Sequence, residues 1–418
     1  MTFDALFVPD ELAEATSDRA WLEAMLDFER VLANAESVAG VIPAGAAAAI
    51  AEACDPDRFD VHDLARQGRA SGNPAEPLVR ALRAAVAPEG RDFVHWGATS
   101  QDTVDTAAMI VSRRALGLIL EDVDRLAASC AALAQAHRDT IMAGRTLLQQ
   151  AVPTTFGLKA AGWLVAVLQA RDGLLRANAS LAVQLGGAAG TLASLGERAP
   201  EVVEQVAAHL GLGEPPLPWH ANRVRVAGLG AALAVAAAVA AKIGTDVALL
   251  QQTEVGEVRD PGSGGSSTMP QKQNPVASAV AVACARQVNA HASVLLGSVV
   301  GELERPVGAW HAEWSALSSA LGLTGGAVAA VARLVEEIQV DAGRMRANLV
   351  EETLSERVSL ALTARLGREQ AHEALADGLR GHLPADELAE LLDPAGYLGQ
   401  AGAFVDRALA LYEHRDDE

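Results

Sequence analysis

The sequence predicts an all-α protein, and three observations carry that prediction. Half of the residues are hydrophobic but only 4% are aromatic, so alanine, leucine and valine must build the interior. Apolar residues recur at helical spacing over long stretches, whereas regular alternation of period two is scarce. Between those stretches stand segments containing glycine and proline, as the connections of a helical bundle require.

The first clear helix starts at Ser17-Asp18, either of which can cap it. Trp21, Met25, Phe28, Leu32 and Ala35 share one face, and Gly40 with Pro43 ends it. Asp55-Pro56-Asp57 marks a polar loop. Ala70-Ser71-Gly72-Asn73-Pro74 and Pro88-Glu89-Gly90 are further breakers. From Asp102 a longer pattern begins, with Val104, Ala108, Val111, Ala115 and Leu118 on one face, and it extends to about Ala136. Further long helices are predicted over 156–185, 220–258, 275–300 and 310–337, with loops at 144–155, 186–196, 211–218 and 259–270. Val226 to Ala241 carries no charge; at sixteen residues, mostly alanine and glycine, it reads as a helix buried on all sides of a bundle. A membrane span needs about twenty strongly apolar residues. After Asp341 the helices shorten, and Asp393-Pro394-Ala395-Gly396 breaks the last pair. The expected organisation is an N-terminal helical domain (1–101), a central long-helix bundle (102–340) and a small C-terminal helical domain (341–418).

The formal net charge of −20 disfavours nucleic acid and anionic membranes as partners. It also means that an anionic substrate needs a locally positive pocket. Cys54, Cys130 and Cys284 are odd in number and widely spaced, which fits a reducing compartment and neither a disulfide framework nor a zinc site. Met1-Thr2-Phe3-Asp4 lacks the basic and apolar regions of a secretory signal, so a cytoplasmic protein is expected.

The sharpest chemical feature is the run from Gly262 to Pro275, GSGGSSTMPQKQNP. Glycines give it mobility, Ser266 and Ser267 supply adjacent hydroxyls, and Lys272 and Asn274 follow six and eight residues beyond Ser266. A helix starting near Pro275 adds the positive potential of its free N–H groups. Most loops rich in glycine and serine are plain surface turns; the Met-Pro-x-Lys-x-Asn-Pro continuation is far more specific.

This run resembles the signature of the aspartase/fumarase superfamily, G-S-x-x-M-x-x-K-x-N, with every fixed position present from Gly265 to Asn274. The resemblance implies an elongated, three-domain helical fold, catalysis without metal or cofactor, and a small polycarboxylate substrate. It further implies a homotetramer whose active sites each draw on three subunits. By the same resemblance Ser266 is the catalytic acid/base, Lys272 and Asn274 hold a substrate carboxylate as it becomes an enediolate, and Ser267 and Met269 border the substrate. A second run, Val94-His95-Trp96-Gly97-Ala98-Thr99-Ser100-Gln101-Asp102, is similar to the region in which Thr99, Ser100 and Gln101 bind a carboxylate and His95 faces substrate. Taken alone, that run is also an ordinary helix cap.

A third run, Gly144 to Gly157, resembles the loop that carries a histidine general acid in the amine- and water-expelling members. No histidine lies between His137 and His209 here, and Gln150 stands in that loop. The glutamate that pairs with the histidine, seven residues beyond the lysine, is replaced by Ala279. Poor leaving groups need a proton donor. A carboxylate, with a pKa of about 4, attacks or departs as the anion without one.

Over nearly its whole length the chain resembles one branch of the superfamily, the bacterial 3-carboxy-cis,cis-muconate cycloisomerases. The ordered matches include Ser71-Gly72-Asn73-Pro74, Gln184-Leu185-Gly186-Gly187, Pro218-Trp219-His220, Glu304-Arg305, Trp310-His311-Ala312-Glu313-Trp314 and Tyr397-Leu398-Gly399. The branch closes a muconate into a lactone, and Arg305 and His311 become candidate cations for the substrate. Leu147, Gln150, Gln271 and Gln273 replace aromatic or cationic residues of some cycloisomerases, which puts the exact substrate in doubt. The alternatives are a superfamily lyase expelling a stabilised anion such as nitrite from a substituted succinate, adenylosuccinate lyase, and a structural homologue without turnover. The missing histidine–glutamate pair disfavours the second, and the complete serine loop disfavours the third.

Overall fold

A computed structural model describes residues 4–262, 264–265, 268–376 and 383–416. Five helices come first: α1 (Asp10–Ala15), α2 (Asp18–Val38), α3 (Ala44–Ala53), α4 (Val61–Gln67) and α5 (Ala75–Ala85). The long helix α6 (Ser100–Ala136) leads into α7 (Phe156–Ala179), α8 (Ala199–Leu210) and α9 (Val224–Leu250). Two more long helices follow, α10 (Val276–Gly297) and α11 (Ala309–Glu337). Short ones close the chain: α12 (Ala342–Ala347), α13 (Ser355–Leu366), α14 (Arg368–Ala376), α15 (Ala385–Leu391) and α16 (Ala401–Glu413). The fold is all-α, as the composition predicts.

Local chemistry sets these boundaries. Ser17 caps α2, its hydroxyl accepting the Ala20 N–H at 3.1 Å. The apolar face of α2 buries Leu22, Met25, Phe28 and Leu32, and the same face carries Glu29 and Glu36 inward. At the start of α6, Asp102 reaches back to accept the Thr99 N–H at 2.9 Å, the reciprocal half of a capping box.

The expected loop at 144–155 is instead the second half of a hairpin, β1 (Ile141–Thr146) paired antiparallel with β2 (Gln149–Thr155). Its two-residue connection, Leu147-Leu148, has φ of 52° and 64°. Such turns normally use asparagine or glycine, so two leucines gave no turn signal. The helices predicted to reach 185 and 258 stop earlier, at Ala179 and Leu250. The remaining extended pairs among the described residues are short: β3 (Val258–Arg259) with β6 (Gln339–Val340), and β4 (Gly264–Gly265) with β5 (Gln273–Asn274).

The chain divides into two compact units. One comprises Met1–Asp122, Ala170–Ala238 and Val280–Ala329; the other comprises Val123–Gln169, Val239–Ala279 and Ala330–Glu418. The five long helices each contribute residues to both.

By length and composition α9, α10 and α11 are each apolar enough to cross a membrane. Burial within the single chain is uneven: 72% of the most apolar stretch of α11, 50% of that of α9 and 33% of that of α10. The uncharged segment of α9 is therefore not enclosed on all sides by its own chain, and Val235 is 53% exposed. An apolar helix face of this kind needs cover from another surface.

Glu36 is fully buried, and neither carboxyl oxygen has a hydrogen-bond partner among the described residues. Burial, and then the neighbouring Glu29 charge, push its pKa up from 4.5 to about 9. The folded protein thus holds a proton that the unfolded chain releases, so this group's contribution to stability declines as pH rises from 4.5 to about 9. Glu36→Gln removes the titration at constant shape. It is expected to raise unfolding stability at pH 7 by on the order of 3 kcal/mol, and by nothing at pH 4. Urea denaturation at the two pH values measures the difference.

Candidate active site

In the first unit, the N-terminus of α6 is built as a polar cluster. Asp102 is fully buried and accepts four hydrogen bonds: from the N–H groups of Thr99, Gly186 and Gly187 at 2.9, 3.0 and 2.9 Å, and from His220 Nε2 at 2.7 Å. One carboxylate thus ties three segments together. A side chain at Gly186 is excluded, since a Cβ there would lie 2.7 Å from both the His220 ring and Pro218.

Arg305 lies over this helix start. Its Nη2 donates to Thr99 Oγ1 at 3.2 Å and to the Ala188 carbonyl at 3.3 Å, while Nε donates to Gln101 Oε1 at 3.1 Å. The structure therefore brings together Thr99, Gln101 and Arg305, with Ser100 opening the helix beside them. Arg305 has no carboxylate partner among the described residues. A guanidinium beside the N-terminus of a 37-residue helix concentrates positive potential there. Gln101 has no exposed surface, and its Nε2 donates to the His220 carbonyl at 2.9 Å. Its amide is thus engaged at both ends within the chain, the nitrogen by the His220 carbonyl and the oxygen by Arg305.

His95 sits five residues before α6 in the left-handed region, with φ of 60°. Its Nδ1 pairs with Glu29 Oε1 at 2.7 Å, and Thr103 Oγ1 donates to the same oxygen at 3.0 Å. Burial opposes charge on the ring, but the charge of Glu29 and its hydrogen bond more than offset this, so the His95 pKa lies above its ordinary value. Sequence reading found His95 and missed Glu29. The available signal was a carboxylate recurring within the apolar stripe of α2.

His311 is exposed and borders a cavity of about 600 Å³ lined also by Trp21, Met25, Arg69, Asn73 and Trp314. Trp314 Nε1 is buried without a hydrogen-bond partner among the described residues. The neighbouring charges are structural. Arg223, 1% exposed, donates to Asp105 at 2.7 and 2.9 Å and to Glu313 through both Nε and Nη2. Trp310 Nε1 donates to Asp105 at 2.9 Å. Burial disfavours the Arg223 charge, but the two carboxylates more than compensate and hold its pKa above the ordinary value.

The signature loop belongs to the second unit. Gly264 pairs with Asn274 and Gly265 with Gln273, so β4 and β5 form a short antiparallel pair at the two ends of the signature. Gly264 is required, because a Cβ would meet Val276 Cγ2 at 2.7 Å. The Lys272 N–H closes a turn onto the Met269 carbonyl at 3.0 Å, and the side chains of Met269 and Lys272 are exposed. Asn274 is half-buried, directly before α10. Ser266 and Ser267 lie outside the described residues. In the same unit Gln150 is exposed, and its amide donates to the Asn348 carbonyl at 2.8 Å. The tip of its hairpin, Leu147 and Leu148, is 96% and 72% exposed. Two bulky left-handed residues displayed to solvent are strained and apolar, as expected of a segment that contacts something else. Arg145, in β1, is bound bidentately to the buried Glu257 at 2.9 and 2.6 Å, which fixes the hairpin.

The chain matches the family described as lyase over residues 8–290. It is 48% identical to nitrosuccinate lyase from Streptomyces davaonensis, over 94% of this chain and 91% of that protein. It is 44% identical to 3-carboxy-cis,cis-muconate cycloisomerase from Pseudomonas aeruginosa, over 98% of this chain and 95% of that protein. The crystal structure of 3-carboxy-cis,cis-muconate lactonizing enzyme from Pseudomonas putida matches with a TM-score of 0.92 at 41% identity, covering 99% of each chain. Shared sequence and fold over nearly the full length establish that this chain belongs to the lyase family, within the aspartase/fumarase superfamily.

Proposed function

We propose that the chain interconverts 3-carboxy-cis,cis-muconate and 4-carboxymuconolactone. The observation that carries this reading is a complete serine loop, Gly265 to Asn274, in a chain that has no histidine between His137 and His209 and Ala279 in place of the glutamate that pairs with the family's histidine acid. The relatives named as cycloisomerases support it.

In the lactonising direction one substrate carboxylate attacks the conjugated double bond and forms the new C–O bond. The displaced π electrons move onto the carbon next to a second carboxylate, giving an enediolate. Lys272 and Asn274 donate to its oxygens, so the developing charge meets donors that are already in place. The Ser266 hydroxyl delivers its proton to that carbon and is reprotonated from solvent; in reverse, the serine oxygen removes the same proton. Thr99, Ser100 and Arg305 hold a remaining carboxylate at the α6 N-terminus, with His95 and His311 as further contacts. Ser267, Met269 and Gln150 border the substrate. No step calls for a metal or cofactor.

The residues fall in two units, and the reading joins them in a homotetramer whose sites are shared among three subunits. The exposed apolar faces of α9 and α10 and the hairpin tip at Leu147-Leu148 support an assembly of this kind. The compartment is proposed to be the cytoplasm.

The 48% identity to nitrosuccinate lyase favours one second reading. There the serine oxygen removes a proton beside a carboxylate of nitrosuccinate, the C–N bond breaks, and nitrite leaves with the electron pair without a proton donor. The reduced local charge at Gln271 and Gln273 suits a substrate with two carboxylates rather than three. Supplying each substrate to the purified protein separates the readings. Loss of diene absorbance with kcat/KM at least about a hundredfold above that for nitrite release supports the first. The reverse ratio replaces it with the second.

A further inference from the structure

We propose that Glu29 is a positioning residue of the active site: its buried carboxylate fixes His95 so that Nδ1–H points to α2 and Nε2–H presents a cationic donor to a substrate carboxylate. The inference rests on the reading above that His95 faces substrate. The geometry is that of a carboxylate–imidazole dyad. Glu29 is 1% exposed and holds Nδ1 at 2.7 Å, with Thr103 Oγ1 at 3.0 Å fixing the same oxygen. His95 Nε2 has no protein partner among the described residues, so one face of the ring is bound and the other is free for a ligand.

The backbone supports a purpose beyond packing. His95 is a non-glycine residue at φ 60°, a conformation that costs about 1–2 kcal/mol and persists where the surroundings require it. Gly97, two residues on, has φ 71° and packs so closely on Leu195 that a Cβ would lie at 2.7 Å. This turn delivers the ring to Glu29 on one side and Thr99 to Arg305 on the other.

The charged surroundings agree on sign. On α2, Glu29 favours the imidazolium; Glu36 is protonated at neutral pH, so a single carboxylate serves the ring. On α6, Asp102 also favours it, and on α5, Arg83 opposes it. Burial opposes it as well, and the sum raises the His95 pKa. The charged ring is therefore complete below its ordinary pKa of 6.5 and persists above that value, until pH passes the raised one. Without Glu29 the burial would remain and the compensation would go, leaving a neutral imidazole at the pH where a trianionic substrate needs a cation.

The test is an NMR titration of the His95 ring nitrogens, combined with kinetics of Glu29→Gln and Glu29→Asp. In the native protein His95 is expected to titrate above free imidazole, and in Glu29→Gln below its native value. For Glu29→Gln, kcat/KM is expected to fall about tenfold or more at pH values where the native ring still titrates as charged, mostly through KM, and the deficit to shrink as pH falls through the variant's own His95 titration. Glu29→Asp restores part of the loss. A purely structural pair would give a deficit independent of pH, which would overturn the proposal. So would native His95 titrating at or below free imidazole, a result that needs neither a stable variant nor any activity. If neither candidate substrate is turned over, the functional reading fails while the titration still decides whether Glu29 holds the ring charged.

Discussion

Ser266→Ala lowers kcat for 3-carboxy-cis,cis-muconate by on the order of a hundredfold or more, with KM changed far less. The size follows from what the hydroxyl is asked to do. Protonating a carbon next to a carboxylate is slow in water, because the enediolate is a high-energy anion and solvent must reorganise around it. On the proposed reading Lys272, Asn274 and Arg305 still gather and polarise the substrate in the variant, so binding is expected to survive. Only the proton donor is lost, and a positioned acid is worth roughly 10²–10⁴-fold. Lys272→Met weakens stabilisation of the same enediolate that Ser266 is proposed to protonate, so its deficit should combine with that of Ser266→Ala less than additively. Progress curves of diene absorbance for the two single variants and the double variant measure this. Equal turnover by Ser266→Ala and native enzyme would exclude the serine as the acid.

Arg223→Met destabilises the fold by about 3–5 kcal/mol, the penalty for stranding buried carboxylates without their cation. Asp105 and Glu313 are 1% and 3% exposed and share one guanidinium. Removing it leaves two like charges in a dry core, where at least one must take up a proton. The urea midpoint of Arg223→Met is expected to fall sharply and to recover at lower pH, as protonation relieves the pair. Replacing all three residues with apolar side chains of similar volume should restore most of the loss, because a complete buried ion cluster contributes little net stability over a hydrophobic one. A single variant as stable as the native chain would mean that water reaches the cluster.

The elements that depend on local chemistry were legible in the letters. Ser17 starts a helix, Ser100 to Ala136 is one uninterrupted helix, and Gly40 with Pro43 ends α2, each where spacing and caps place it. The hairpin at 141–155 was not legible, since Leu147 and Leu148 occupy left-handed positions without the residues that usually mark them. The length of α9 misled in another way. Its apolar run implies burial on all sides, but periodicity cannot say whether the cover comes from the same chain or from another.

The site divides along the same line. The spacing of Gly265, Ser266, Met269, Lys272 and Asn274 is local, so the sequence displays it in full. Thr99 and Arg305 were both singled out, but nothing 206 residues apart announces a hydrogen bond between them. Glu29 was invisible as a partner of His95, 66 residues away, and the hydrogen bonds of Gln101 to His220 and Arg305 likewise exist only in the fold.

The central claim is that a serine of the signature loop transfers a proton to carbon at a carboxylate-stabilised enediolate. Running the lactonisation in deuterium oxide and reading the product by NMR tests it most directly. The account predicts one deuterium, at a single one of the two positions on the carbon beside the carboxylate, with labelled lactone formed on the order of a hundredfold or more slowly by Ser266→Ala. Deuterium spread equally over both positions, or stereospecific labelling undiminished in the variant, would contradict it.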